Sequence, residues 1–192
     1  MGTVVVATPD RWDDLATVMG TRGDPSRCWC QWFRLRSTEF ARARVAGHRA
    51  ALQAQVEAGP PPGVLGYDDG GRPQGWCAVA PRADYPRLAH SPLVTTTDAE
   101  DLWAVTCFVV RPGSRRQGLA AELLDGAVRL AWQHGATQIE AYPVDTAVGS
   151  PSSSELYHGP LSVFLNAGFT EVGPRPKPAR AVVRLRSGEL HG

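Results

Sequence analysis

The most constraining feature of the sequence is an apolar segment followed directly by a short polar turn and a helical pattern. Residues 102–110, LWAVTCFVV, are apolar or β-branched almost throughout, which predicts a strand buried within a sheet. Residues 117–134 repeat leucine and alanine on one helical face, and Gly135 ends this pattern. Residues 137–142 predict a second strand. A strand–helix–strand unit of this kind forms two parallel strands with a right-handed crossover.

The rest of the chain predicts antiparallel strands with helices between them. The other predicted elements are, in order, a strand at 3–8, helices at 10–19 and 37–58, hairpin strands at 64–67 and 75–80, a helix at 156–167, and strands at 169–172 and 181–186. A polar, proline-rich stretch at 81–101 connects the hairpin to the buried strand. Without internal repeats, the sequence predicts a single mixed α/β domain over residues 1–192.

Composition and charge narrow the classes of function. Of the 192 residues, 43% are hydrophobic and 20% are charged, as in ordinary globular proteins. The net charge of +1 argues against a nucleic-acid-binding surface, and no apolar run has the length that a bilayer requires. We therefore expect a cytoplasmic protein without nucleic-acid or membrane partners, whose four cysteines are reduced.

The turn after the buried strand, RPGSRRQGLA at residues 111–120, is suited to an anion. Gly118 falls in the first turn of the predicted helix, where glycine costs about 1 kcal/mol relative to alanine. A glycine kept at that cost often lets a ligand approach the backbone. The first N–H groups of a helix lack internal partners and lie at the positive end of its dipole. With Arg115 and Arg116 they predict a cradle for a phosphate or pyrophosphate, and a plain loop with solvated arginines is the alternative.

The same turn resembles the signature of a known family. Arg115-Arg116-Gln117-Gly118-Leu119-Ala120 matches the [Q/R]-x-x-G-x-[G/A] motif of the GNAT superfamily, the acyl-CoA-dependent N-acetyltransferases. The strand before it, the helix after it and a later helix that ends in Ala167-Gly168-Phe169 fit the order of elements in that family. The blocks CWCQW, GWCAVAPR, VTCFVV and YPVD resemble actinobacterial members most closely.

The resemblance implies a GNAT fold: a central mixed, mostly antiparallel sheet with helices on both faces and two parallel central strands that splay apart. It implies acetyl-CoA as the cofactor, with its pyrophosphate on the backbone of residues 115–120. Its pantetheine arm would pair with backbone groups of Phe108, Val109 and Val110, as an added strand does. The residues implied for the pyrophosphate are Arg115, Arg116, Gln117, Gly118, Leu119 and Ala120.

The implied reaction is transfer of the acetyl group to a primary amine of a small molecule, by direct attack in a ternary complex. A protein or peptide N-acetyltransferase and a non-catalytic acyl-CoA-binding sensor are alternatives within the same fold. The sequence does not identify the amine, and whether the protein forms a homodimer stays open.

The proton donor to the leaving thiolate is the point where this sequence departs from the family. Members often place a tyrosine four residues before the glycine of the Gly-Phe turn, and that position is Phe164 here. Tyr157 is the first substitute, although it could simply pack beneath the loop. Ser162 is the second, and serine is a poor acid. A thiolate can also leave without help, because the pKa of a thiol lies near the neutral range.

The general base is equally open. Glu140, in the apolar segment QIEAY, is an unexpected acid, and burial could raise its pKa so that it accepts a proton. It could equally pair with an arginine or point outward. Asp101 and Asp145 are weaker candidates. His158, beside Tyr157, is the histidine that we would test first.

The block CWCQWF is expected to border the acceptor site. Core packing accounts for most of its residues, but Trp29 and Trp32 are candidate walls for the amine, through cation–π contact or shape. Tyr142 and Asp145 are further candidate substrate contacts. No metal is predicted, because C-x-C lacks a second paired half. Cys107 could lie near the thioester, although direct transfer needs no enzyme thiol.

Overall fold

One sheet organises the molecule. In the computed structural model the described residues are 2–90, 101–175 and 177–188, so residues 91–100 of the predicted connection at 81–101 lie outside them. The strands are β1 (Val4–Val6), β2 (Gly63–Tyr67), β3 (Pro73–Pro81), β4 (Leu102–Val110), β5 (Gln138–Ala141), β6 (Thr170–Glu171) and β7 (Val183–Arg186). They form a seven-stranded sheet in the order β1-β2-β3-β4-β5-β7-β6.

The sheet is mixed and mostly antiparallel, as the sequence predicts. Neighbouring strands run antiparallel except β4 and β5, which are parallel. The chain passes between these two through α4 (Leu119–Gln133), which begins two residues later than its pattern suggests. The predicted strand–helix–strand unit is therefore confirmed at the centre of the sheet.

Helices cover both faces of the sheet. The others are α1 (Trp12–Met19), α2 (Gly23–Cys28), α3 (Ser37–Ala58) and α5 (Leu161–Asn166). On one face α4 and α5 bury Leu123, Leu124 and Phe164 against the strands. On the other, α1 and α3 bury Leu15 and Leu52. None of the helices within the described ranges is long and apolar enough to cross a membrane.

The helix predicted at 37–58 has the expected ends but is broken inside. Arg44 has φ 55° and ψ −176°, a conformation that side chains with a Cβ rarely adopt. The break rotates the first part of α3 relative to the second. Val45, directly after the break, is 47% exposed, whereas Leu52 and Val56 in the second part are buried.

The helix predicted at 156–167 is two separate elements. Glu155–His158 form a single 3₁₀ turn, and α5 begins only at Leu161. Gly159 between them has φ 79°, and Pro160 lacks an N–H to continue a helix. Tyr157 and His158 therefore lie on a turn before α5 rather than on the helix itself.

Candidate active site

The parallel strands β4 and β5 separate partway along their length. Their pairing ends at Val105 and Ala141, while β4 continues to Val110. After β5 the chain pairs elsewhere, because Val144 donates its N–H to the carbonyl of Gly159 and accepts one from Leu161. The described residues thus leave an open gap beside the last five residues of β4, which is the predicted splay.

Backbone groups of β4 face this gap. Arg111 donates its N–H to Gln74 O on the β3 side, and the alternation of a strand turns the groups of Phe108 and Val110 the opposite way. From that side the Arg115 side chain donates to Val110 O at 3.2 Å. The alternation directs the backbone of Val109 toward β3, so of the three residues expected to pair with pantetheine, Phe108 and Val110 present backbone groups to the gap.

The turn that follows β4 exposes amide groups at the start of α4. Arg116 and Gly118 have φ 60° and 85°, and Gly118 is the N-cap of the helix. Glycine is thus required by the backbone conformation itself, and not only by a ligand's approach. Within the described ranges no backbone acceptor is found for the N–H groups of residues 116–118. This donor set fits a diphosphate, which needs several N–H groups and positive charge.

A cavity of about 690 Å³ borders the same strand segment, with Thr106, Cys107 and Val109 in its lining. Its walls come from α2, the first part of α3, the end of β4 and the turn Glu155–His158, with Arg180 near that turn. Most of the wall is apolar or aromatic, with Trp32, Phe33 and Phe40 among its residues. Its size lies within the range of about 300–1,000 Å³ that small-molecule sites occupy.

The cavity reaches β4 at a β-bulge. Ala78 pairs with Cys107 and Val79 with Val105, so Thr106 has no partner on β3. The carbonyl oxygen of Thr106 instead accepts a hydrogen bond from His158 Nδ1 at 3.2 Å. A carbonyl can only accept, so the proton sits on Nδ1 and the lone pair on Nε2.

Burial, followed by the nearby positive charge of Arg180, lowers the pKa of His158 to about 4. The ring is therefore neutral at pH 7, and its Nε2 has no protein partner among the described residues. Phe33 packs edge-on against the ring with the centroids 5.5 Å apart. The bulge and Phe33 together fix the orientation of a neutral imidazole at the cavity wall.

Comparisons with known proteins identify this arrangement. The model of the acetyltransferase (GNAT) family matches residues 29–158. This chain belongs to the GNAT acetyltransferase family. It is an acyltransferase, and acetyl-CoA is the cosubstrate of the family. No curated protein matches the sequence.

Solved GNAT structures share the fold at low sequence identity. The GNAT domain of S. lividans PAT is 16% identical with a TM-score of 0.54, and the match covers 96% of this chain and 90% of that one. Salmonella typhimurium yncA, solved with its cofactor acetyl-CoA, is 13% identical with a TM-score of 0.57, covering 100% and 96%. Mosquito arylalkylamine N-acetyltransferase like 5b is 12% identical with a TM-score of 0.59, covering 97% and 100%.

Of the residues expected to act in catalysis in this acetyltransferase, Tyr157 lies at the cavity. Burial, and then the charge of Asp24, raises the pKa of its hydroxyl, which is protonated at neutral pH as a proton donor must be. Phe164, at the position where the family often has a tyrosine, is fully buried and packs edge-on against Phe108. Ser162 is exposed on α5 and does not line the cavity.

Glu140 is a partner of arginine rather than a cavity residue. Its carboxylate is fully buried, 2.7 Å from the Arg184 guanidinium and 3.6 Å from Arg82 Nε. Tyr142, expected to contact the substrate, donates its hydroxyl to Glu140 at 2.6 Å and is itself 1% exposed. Of the three interpretations left open for Glu140, the structure contains the ion pair, and neither Glu140 nor Tyr142 lines the cavity.

The two candidate indoles have different surroundings. Trp32 is 49% exposed and lines the cavity, with Phe40 edge-on at 5.3 Å between ring centroids. Trp29 is 5% exposed and stacks on Trp12 in the core beneath α1. Its left-handed backbone, φ 48°, closes α2 and turns the indole inward. Trp29 therefore lies in the core, and of the two indoles only Trp32 borders the cavity.

Asp145 also lies away from the cavity lining. Its carboxylate accepts hydrogen bonds from Arg175 at 2.7 Å and from the Ala147 N–H at 3.0 Å. Those two bonds lower the pKa of Asp145, as expected for a paired structural carboxylate.

Three of the cysteines, Cys28, Cys30 and Cys107, line the cavity as free thiols. A hydrogen bond to Cys30, followed by burial, raises the pKa of Cys107 well above the ordinary thiol range. Cys107 is thus a protonated and weak nucleophile at neutral pH. Among the residues that the structure describes, no group of three His, Cys, Asp or Glu side chains could hold a metal ion.

Sequence reasoning missed Arg180 and the bulge at Thr106, and it placed His158 only as a residue to test. No local pattern marks Thr106 as a bulge, and Arg180 lies far from the motifs in the chain. The Gly-Pro pair at 159–160 was the available signal, since it ends the turn that carries His158.

Proposed function

We propose that this acetyltransferase acetylates a primary amine of a small molecule that binds in the cavity beside His158. The observation that carries the proposal is the position of the cavity. It meets β4 at the bulge, on the strand segment that also borders the gap beyond the end of the β4–β5 pairing. An amine in the cavity and a thioester in the gap would therefore be neighbours.

On the coenzyme side, the N–H groups at the start of α4 would hold the diphosphate, with Arg115 and Arg116 supplying charge. The backbone of Phe108 and Val110 would pair with the pantetheine amides, since no strand within the described residues faces them. Acetyl-CoA, when bound, supplies an acetyl thioester with an electrophilic carbonyl carbon.

On the acceptor side, His158 Nε2 would take the proton that the amine loses. The hydrogen bond from Nδ1 to Thr106 O keeps the tautomer in which Nε2 is free to accept. Tyr157, on the same turn, would donate its phenolic proton to the departing sulfur in place of the tyrosine that Phe164 replaces. These two adjacent residues would divide the base and acid roles between them.

Thiol release from acetyl-CoA with a panel of small amines tests this function. His158→Gln should lower kcat by about a hundredfold or more, the usual contribution of general-base catalysis. Tyr157→Phe should lower kcat less, because a thiolate also leaves unaided. Calorimetry should show that both variants bind CoA as the natural protein does. His134→Gln, an exposed histidine at the far end of α4, is the control.

Two outcomes would remove this proposal. An unchanged kcat in His158→Gln would exclude His158 as the base. Silence across the whole amine panel, together with tight binding of acetyl-CoA, would favour an acyl-CoA sensor over an enzyme of small molecules.

A further inference from the structure

Arg180 is a partly buried cation at the cavity wall with few protein partners among the described residues. Its side chain is 13% exposed. Among the described residues its guanidinium donates one hydrogen bond, from Nη1 to the backbone carbonyl oxygen of Tyr142 at 3.3 Å. A guanidinium carries five N–H donors, so most of them have no protein acceptor there.

The acidic residue nearest to Arg180 is Glu155, which accepts its hydrogen bonds from Ser152. Glu155 Oε1 lies 3.9 Å from Arg180 Nε, which is beyond hydrogen-bond range. The other oxygen of that carboxylate accepts two hydrogen bonds, from the N–H and the hydroxyl of Ser152, each at 2.9 Å. Glu155 is also 42% exposed, so water weakens its attraction for Arg180.

The other arginines at the cavity do not share this environment. Arg27 and Arg44 line the wall formed by α2 and α3, and both are exposed to solvent. A partly buried guanidinium with few protein acceptors attracts an anion more strongly than a fully solvated one, because less water is lost when the pair forms. Arg180 also lies beside His158 in the cavity wall: its Nε is 3.9 Å from Oε1 of Glu155, which is on the same 3₁₀ turn as His158.

We propose that the acceptor amine carries a carboxylate, and that Arg180 binds this carboxylate while His158 faces the amine. The inference rests on the proposed function and specifies its substrate class. Because Arg180 lies beside the turn that carries His158, an amine and a carboxylate bound by these two residues would be close together, as in an amino acid. The aromatic wall of Trp32, Phe33 and Phe40 fits an aromatic or large apolar side chain. The substrate class is therefore an apolar amino acid or a close analogue.

The same pairing would make His158 a better base. In the free protein the Arg180 charge helps to keep its pKa at about 4, which is low for a base that works at neutral pH. A carboxylate on Arg180 cancels part of that charge and stabilises the protonated ring. The other charged or titratable groups that line the cavity with His158 are Glu155 on its own turn and Asp24, Arg27, Arg44 and His48 on α2 and α3.

Matched amines that differ only in the carboxylate test the proposal. Thiol release should be compared for L-tryptophan and tryptamine, and for L-phenylalanine and 2-phenylethylamine. We expect kcat/KM to favour the carboxylate-bearing member of each pair by about tenfold to a hundredfold, as for one charge-assisted pair. Arg180→Gln should bring each ratio close to one. Arg72→Gln, whose side chain is 78% exposed on the β2–β3 turn, should leave the ratios unchanged.

A second measurement uses the natural protein and does not depend on turnover. NMR titration of His158 in the CoA complex should show a pKa raised by 3-phenylpropanoate and unchanged by 3-phenylpropanamide. Preferred turnover of the carboxylate-free amines, or an equal effect of both probes on His158, would overturn the carboxylate site. If no amine is acetylated but 3-phenylpropanoate alone raises the His158 pKa, the carboxylate site stands and the proposed enzyme function fails.

Discussion

The two regions that meet at β4, the gap with its following turn and the cavity, are built in different ways. The gap and turn on the coenzyme side are formed by the backbone of one continuous segment, residues 106–120, in which Gly118 and Arg116 adopt left-handed conformations. The cavity is formed by side chains from separate parts of the chain, from Asp24 on α2 to Arg180 before β7. A backbone site depends on conformation, so many side chains satisfy it. A site formed by side chains depends on the identity of each lining residue, so a single substitution alters what it binds.

This difference explains why the same fold serves many substrates. The coenzyme is common to the family, and a backbone site can be kept while the surrounding sequence changes. The solved relatives illustrate the point, because identities of 12–16% accompany the shared fold. On the proposed function, acceptor specificity would lie with residues such as Trp32 and Arg180, which stand outside the signature motif.

Gly118→Asp gives the largest expected effect. Aspartate tolerates a left-handed backbone better than most residues, but its carboxylate would lie where we place the diphosphate. The Kd for CoA should rise about a thousandfold, since two charge-assisted hydrogen bonds at about 1.5–3 kcal/mol each would be lost. Calorimetry measures this. Gly113→Asp, on the same turn with open space around it, should have a much smaller effect. Equal losses in the two variants would argue for general repulsion rather than a backbone site.

The two indoles test whether core and cavity are separate. Trp29→Ala should lower the free energy of unfolding by about 3–5 kcal/mol, as for other buried aromatics. Trp32→Ala should change stability little and raise the KM of the amine, because its ring borders the cavity. Urea unfolding and steady-state kinetics distinguish the two. A large loss of stability in Trp32→Ala would place that ring in the core as well.

Glu140→Gln should affect stability rather than catalysis. Removing one member of a buried ion pair costs about 3 kcal/mol, because the remaining charge stays in a poorly solvated site. Asp125→Asn breaks an exposed pair on α4 and should cost less than about 1 kcal/mol. Stability is measured by urea unfolding and kcat by thiol release. A lowered kcat with unchanged stability would restore Glu140 as a base.

Lowering the pH should reveal the burial of His158 through a loss in the free energy of unfolding. Its pKa is about 4 in the folded protein against an ordinary value of 6.5. Between pH 4 and pH 6.5 the unfolded chain binds a proton on His158 that the folded chain does not. The stability that the neutral, buried His158 contributes is therefore fully present above pH 6.5 and is lost as the pH falls toward 4. Urea unfolding across that range should show a shallower loss in His158→Gln than in the natural protein. His134→Gln should keep the natural slope, and identical slopes in all three would contradict the burial of His158.

The sequence predicted what depends on local pattern. The strand 102–110, the helix after it and the turn at 111–120 were predictable, because apolar periodicity and glycine act over short distances. The bulge at Thr106, the break of α3 at Arg44 and the turn before α5 were not, since tertiary packing decides them. For the same reason Trp29 and Trp32 could not be told apart from the sequence, although they are three residues apart and point to different environments.

A crystal structure of the complex with CoA tests the central claim most directly. The account predicts diphosphate oxygens at about 3 Å from the backbone nitrogens of residues 116–120, as in N–H···O hydrogen bonds. It also predicts the pantetheine arm beside Phe108 in the gap between β4 and β5. A diphosphate bound elsewhere, or a complex in which β4 and β5 pair with each other as far as Val110, would contradict it.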